Sequence, residues 1–201
     1  VLSDSANNSV VSALNGGEIK IDNSGSGNAT GIAINEKPVN LTVQGNNSSL
    51  DIDIPNGTGT SYGINLSTNT GQQITVDDSG KLDINIKSTG IGIGINSTVG
   101  LMTSVTDQSN LTIENASNSG VGINVTGGST NTFGISGNGT TVKVENTTSS
   151  NTSSAINITG SLNLGSGSNL YTLNTSSSSA SINATTGITF TSPGEFNIQN
   201  N

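Results

Sequence analysis

The feature that most constrains this chain is a repeat. The stretches Ile19-Lys-Ile-Asp22, Leu50-Asp-Ile-Asp53, Leu82-Asp-Ile-Asn85, Leu111-Thr-Ile-Glu114 and Val142-Lys-Val-Glu145 begin 31, 32, 29 and 31 residues apart. Tyr171-Thr-Leu-Asn174 and Phe196-Asn-Ile-Gln199 extend the series at shorter steps. A second series lies between them: Ile32-Ala-Ile34, Ile64-Asn-Leu66, Ile93-Gly-Ile95, Ile123-Asn-Val125, Ile156-Asn-Ile158 and Ile182-Asn-Ala184. A third follows: Leu41-Thr-Val43, Ile74-Thr-Val76, Thr103-Ser-Val105, Phe133-Gly-Ile135, Leu162-Asn-Leu164 and Ile188-Thr-Phe190. Each run alternates apolar with polar residues, the period of a strand with one face in a core and one in water. No single coil can bury its own interior. Stacking coils about 4.8 Å apart aligns like residues in ladders and makes one narrow apolar column. The pattern therefore predicts an all-β fold, a right-handed parallel β-helix (a three-strand β-solenoid) of about six coils of roughly 30 residues each. Gly45-Asn-Asn47, Asp77-Asp-Ser-Gly80 and Gly137-Asn-Gly139 supply residues that tolerate the left-handed backbone of sharp corners.

Composition needs this repeat to make sense. Only 29% of the 201 residues are hydrophobic and 9% charged, and Asn, Ser, Thr and Gly make up more than half. So few aliphatics would ordinarily suggest a disordered or glycosylated stalk. Three prolines and sustained alternation argue against a stalk. Only Thr147-Thr-Ser-Ser150 and Ser176-Ser-Ser-Ser179 read as low-complexity tracts, and both fall where a loop is expected. Residues 1–201 read as a single solenoid segment excised from a longer protein. Residues 1–15, with Val10-Val-Ser-Ala-Leu14, end a preceding coil, and 195–201 start a following one.

The missing residue types bound the chemistry. There is no Cys, His, Arg or Trp, and five Lys stand against thirteen Asp plus Glu, for a net charge of −8. Disulfides and thiolate metal sites are excluded. Nucleic-acid binding, which wants a basic footprint with stacking aromatics, is disfavoured. No apolar run approaches a membrane span.

With its ladder of short Ile/Val strands, its Gly63-Ile-Asn65 and Gly122-Ile-Asn124 beginnings and its closing Ser192-Pro-Gly-Glu-Phe-Asn-Ile198, the chain resembles the pectate-lyase-like adhesive domains. These occur in surface proteins of lactobacilli and related Gram-positive bacteria. The resemblance covers essentially the whole chain and is mainly architectural. It implies a non-enzymatic cell-wall or secreted adhesin, located outside the cell, whose solenoid presents a face to extracellular polysaccharide or to a host-surface glycan or glycoprotein.

Enzymes share this architecture, so the alternative of a divergent polysaccharide lyase or hydrolase has to be weighed. Lyases of the fold need clustered Asp for calcium and a basic residue, typically Arg; the hydrolases resemble an Asp-rich site with a nearby His. This chain has neither Arg nor His. Asp77-Asp78 superficially fits such a site but sits in a Gly-bounded turn, where Asp is a preferred residue. Tyr62 and Tyr171, the two tyrosines, fall in register with inward positions on strict alternation. No catalytic residue is assigned.

One constellation stands above this background. Outward positions of the first strand form two rows: Lys20, Asp51, Asp83, Thr112, Lys143, Thr172, and beside it Asp22, Asp53, Asn85, Glu114, Glu145, Asn174. Six of the thirteen carboxylates (Asp22, Asp51, Asp53, Asp83, Glu114 and Glu145) thus share one face, which is the candidate binding face. Carboxylates stacked about 5 Å apart repel by about 0.8 kcal/mol per pair in water. The face reads as a solvated surface keeping the rod soluble, as a polar glycan- or protein-binding surface, or as a bridge for a hard cation; calcium is the one cofactor it admits. A passive spacer is a further reading. Two other patterns carry less. There are 17 Asn-X-Ser/Thr sequons, and strands written Ile-Asn-X-Thr account for part of them. Outward Thr42, Thr75 and Thr189 hint at an ice-binding array, but Ser104, Gly134 and Asn163 break the row.

Overall fold

The structure, a computed structural model, describes residues 9–35, 38–67, 71–128, 131–147, 154–175, 179–191 and 194–200. Ser192 and Pro193 of the closing motif, and most of the two Ser/Thr tracts, lie outside the described residues. The chain winds as a parallel β-solenoid of about six turns, with no helix among the described residues. Sheet A contains Ser9–Leu14, Val39–Gln44, Gln72–Asp77, Leu101–Val105, Asn131–Ile135, Gly160–Leu164 and Gly187–Phe190. Sheet B contains Glu18–Asp22, Ser49–Gly57, Lys81–Ser88, Asn110–Asn115, Thr141–Asn146, Asn169–Asn174 and Glu195–Asn200. Sheet C contains Thr30–Ile34, Thr60–Leu66, Ile91–Ser97, Ser119–Val125, Ile156–Ile158 and Ile182–Ala184. Each strand pairs in parallel with its counterparts one coil before and one coil after, the edge strands with one of them. Ser9–Leu14 pairs with Val39–Gln44 at one edge of sheet A, and Glu195–Asn200 with Asn169–Asn174 at one edge of sheet B.

The core is the expected column. Leu50, Leu82, Leu111, Val142 and Leu170 stack in one inward row of sheet B, and Ile52, Ile84, Ile113 and Val144 in the next. All nine are at most 2% exposed. Full burial of one such side chain contributes roughly 1.5–3 kcal/mol, so a narrow core suffices when every coil repeats it. The corner from sheet A to sheet B turns through left-handed backbone, and all six described non-glycine residues with positive φ sit there: Asn15, Asn47, Asp78, Ser79, Asp107 and Gln108. Asn and Asp tolerate that region best.

Sheet C departs from strict alternation. In Thr60–Leu66 and Ser119–Val125 two consecutive residues point inward, Gly63 with Ile64 and Gly122 with Ile123. This kink corrects two sequence-based expectations. Tyr62 lies on the outer side and pairs with Thr30 and Ile93. The third-coil counterpart of Ile64-Asn-Leu66 is Ile95-Asn-Ser97, two residues later than Ile93-Gly-Ile95. A Cβ on Gly31, Gly63, Gly94 or Gly122 would collide with the methyl of Ile52, Ile84, Ile113 or Val144 across the coil. The Gly-Ile-Asn beginnings therefore record where sheet C closes onto sheet B.

Candidate functional site

Charge is segregated on this rod. Among the described residues, every charged side chain belongs to sheet B or to the corner joining A to B, except Asp77, the last residue of its sheet A strand beside that corner; the rest of the outer faces of A and C carries only uncharged groups. The strands that hold the sheet B carboxylates are set by their inward Leu and Ile neighbours, so each Asp or Glu between them must face out. Register places Lys20, Asp51, Asp83, Thr112 and Lys143 in one row and Asp22, Asp53, Asn85, Glu114 and Glu145 in the next. All six expected carboxylates are therefore brought onto one face.

The sixth coil is a correction. Val142 pairs with Leu170, Lys143 with Tyr171, and Glu145 with Leu173. Tyr171 and Leu173 thus take the outward places, while Thr172 and Asn174 point inward and are 0% exposed. Asn174 completes an interior ladder: the Nδ2 of Asn115 donates to Asn146 Oδ1 at 3.1 Å, and the Nδ2 of Asn146 to Asn174 Oδ1 at 3.2 Å. A one-residue slip exchanges the two faces of a strand. Here the polar ladder outweighs the apolar appeal of Tyr171 and Leu173. Tyr171 donates its hydroxyl to Gln199 Oε1 at 3.3 Å and extends the face with an aromatic ring.

A shallow trough of about 460 Å³ runs along sheet B, lined by Lys20, Asp51, Asp53, Asp83, Asn85, Thr112 and Glu114. Its repulsions are relieved locally. Asn85 donates Nδ2 to Asp53 at 3.1 Å, and Lys143 bridges Glu145 at 3.0 Å and Glu114 at 3.5 Å. Burial opposes the charge on Lys143, but the bond and charge of Glu145, with Glu114, outweigh it and hold the ammonium above its ordinary range. That cluster is solvated and contributes only tenths of a kcal/mol, on the order of 0.2–1. Asp83 has no such bridge. Burial pushes its carboxyl above the ordinary aspartate range; the Thr112 hydrogen bond opposes this and the charge of Asp51 adds to it. No group of three or more carboxylates among the described residues converges into a metal site.

The raised Asp83 gives a signed pH dependence. The folded state holds this proton more tightly than the unfolded chain, so stability falls as pH rises from about 3.9, the unfolded value, through the raised folded value. Asp83→Asn is expected to stabilise the fold at neutral pH, with the gain over wild type shrinking as pH drops toward 4. Urea melts of both proteins from pH 4 to 7 read this directly, and a gain independent of pH would contradict it.

A second ladder lies on the outside of sheet C. The Nδ2 groups of Asn96, Asn124, Asn157 and Asn183 each donate to the Oδ1 of the asparagine one coil before, beginning at Asn65, at 2.8–2.9 Å. All five, like the interior Asn115, Asn146 and Asn174, head Asn-X-Ser/Thr triplets. Eight of the 17 sequons are thus ladder positions of the fold. Comparison with protein-family models, with curated proteins and with solved structures returns no match.

Proposed function

We propose that the chain is a non-enzymatic segment of a bacterial cell-surface adhesin, displayed outside the cell, whose solenoid offers a polar, partly acidic face to polysaccharide or to host and biofilm surfaces. One observation carries the reading: among the described residues, charge gathers on sheet B and around its corner with sheet A, Asp77 at the end of its sheet A strand included, while the other outward positions are uncharged. A surface kept only for solubility has no need of such segregation. The likeness to pectate-lyase-like adhesive domains of lactobacilli supports it at the level of architecture. Lacking Arg and Trp, the face makes many weak polar contacts. Its single-site affinity is expected near the millimolar range, roughly −4 kcal/mol, with useful adhesion arising from many copies on one surface.

The test is adhesion of beads densely coated with the chain to immobilised polysaccharides, at pH 4 and pH 7, with calcium and with chelator. Binding to an acidic polymer is expected to rise as pH falls and the carboxylates protonate, or when calcium is added. Neutralising Asp51, Asp83, Glu114 and Glu145 as amides should give the pH 4 behaviour at pH 7. Adhesion indifferent to pH, calcium and these changes would remove sheet B from the reading, and no adhesion at all would leave a passive spacer. A second reading has its own observation: Asp51 and Asp83 are stacked carboxylates with one proton affinity raised, the arrangement of an acid–base pair. Turnover of polygalacturonate abolished by Asp83→Asn would replace the adhesin with an enzyme.

A further inference from the structure

The outer face of sheet A carries a hollow that the fold itself does not require. It measures about 270 Å³ and is lined by Gln73, Thr75, Met102, Ser104, Thr132 and Gly134. These residues come from three successive coils, paired Gln73 to Met102 to Thr132 and Thr75 to Ser104 to Gly134. The hollow exists because Gly134 stands where the neighbouring coils place an outward hydroxyl or amide side chain, Thr75, Ser104 and Asn163.

Glycine weakens a strand and usually marks a bulge, a bend or a close approach of another backbone. The other strand glycines have such reasons. A Cβ on Gly31, Gly57, Gly63, Gly92, Gly94, Gly122 or Gly160 would collide with neighbouring atoms, and Gly120 and Gly187 adopt positive φ. Gly134 has neither. An added Cβ there would meet only the Thr103 carbonyl oxygen, at an ordinary 3.6 Å, and the backbone is not left-handed. Packing, sterics and backbone all permit a side chain, and the strand would gain from one.

We infer that this hollow is a binding subsite for an uncharged, hydroxyl-rich ligand with one apolar face, of which a neutral pyranose unit of a glycan is the fitting class. Its walls offer hydroxyls from Thr75, Ser104 and Thr132 and the carboxamide of Gln73, groups that both donate and accept. Met102, 55% exposed, supplies a soft apolar platform. No charged side chain lines the hollow, so an ionised ligand would surrender hydration with nothing to offset it. The site is distinct from the acidic trough of sheet B and does not depend on it.

The single methionine of the chain makes the test specific. With the methionine methyl isotope-labelled, one NMR signal reports the hollow. The 201-residue chain is titrated with cellobiose, maltose, lactose and mannobiose, with digalacturonate as the charged control. A saturable shift of the Met102 signal with at least one neutral disaccharide, and not with digalacturonate, is expected. Gly134→Thr, which completes the hydroxyl row, should weaken that binding by at least about tenfold while the melting temperature stays level or rises. Asp51→Asn with Asp83→Asn should leave the shift unchanged, so failure here and failure of the sheet B reading are told apart. No shift with any neutral sugar, a shift with digalacturonate alone, or undiminished binding by Gly134→Thr would overturn the assignment.

Discussion

Gly94→Ala is expected to destabilise the protein by about 3 kcal/mol or more, a large effect for the addition of one methyl group. The new Cβ would fall within contact of two things at once: the carbonyl oxygen of Gly122 one coil on, and the Cγ2 of Ile113 across the interior. The isoleucine can shift rotamer, but the carbonyl belongs to a strand hydrogen-bonded into the next coil and can move only if coils separate. Gly31 and Gly63 stand in the same column with the same pair of obstacles, Ile52 and Gly63 O, then Ile84 and Gly94 O. The fifth coil has Ala155 in this column. Urea melts measure the loss, and combining Gly94→Ala with Ile113→Ala separates its causes. The double variant should recover the part due to the methyl contact and keep the part due to the carbonyl. A Gly94→Ala protein within about 0.5 kcal/mol of wild type, the range of ordinary surface changes, would show that sheet C is not closed onto sheet B as described.

These glycines also show how far the sequence could be read. The columns of sheets A and B are legible because their inward residues are Leu, Ile, Val and Phe at a nearly constant step, and the periodicity of apolar residues is the signal a buried strand face emits. Every third-series run, from Leu41-Thr-Val43 to Ile188-Thr-Phe190, pairs in the expected register. The six carboxylates follow automatically, since they alternate with those residues. What escaped were the places where the interior is polar or the strand is kinked. Strict alternation from Ile64 and Leu66 puts Tyr62 inside; the inward Gly63–Ile64 pair reverses it. At the sixth coil, apolar content favours Tyr171 and Leu173 as the inward pair, whereas the fold buries Leu170, Thr172 and Asn174. Hydropathy cannot see this, because the deciding residue is an asparagine. The usable signal is positional: Asn115, Asn146 and Asn174 each close a sheet B strand four residues after Leu111, Val142 and Leu170, where the second and third coils carry Ile54 and Ile86. The hollow on sheet A left a trace too, as a break at Gly134 in an outward polar row. It gains meaning only once the structure shows that no neighbour excludes a side chain there.

The interior asparagines should matter out of proportion to their number, and Asn146→Ala is expected to cost about 3–5 kcal/mol. Asn146 donates Nδ2 to the Gly120 carbonyl at 3.0 Å and to Asn174 Oδ1, and its Oδ1 accepts from Asn115. Truncation leaves the Gly120 carbonyl and the Asn174 oxygen without this donor inside a 0%-exposed position. Each buried orphan costs about 1–3 kcal/mol, and a small cavity adds to it. The outward ladder supplies the control. Asn124 likewise makes two ladder bonds, to Asn96 at 2.9 Å and from Asn157 at 2.9 Å, but Asn124 and Asn157 are only half-buried and Asn96, 6% exposed, lies nearer the surface than the 0%-exposed Asn146. Asn124→Ala should therefore cost about 1 kcal/mol or less, near the net worth of ordinary hydrogen bonds that water can replace. Matched urea melts of the two variants decide the matter. Equal losses would mean that burial is not what gives the inner ladder its weight. A loss at Asn146 several times that at Asn124 would establish the polar column, alongside the Ile and Leu rows, as what fixes the register of the fourth to sixth coils. It would then also be what turns Tyr171 outward onto the acidic face.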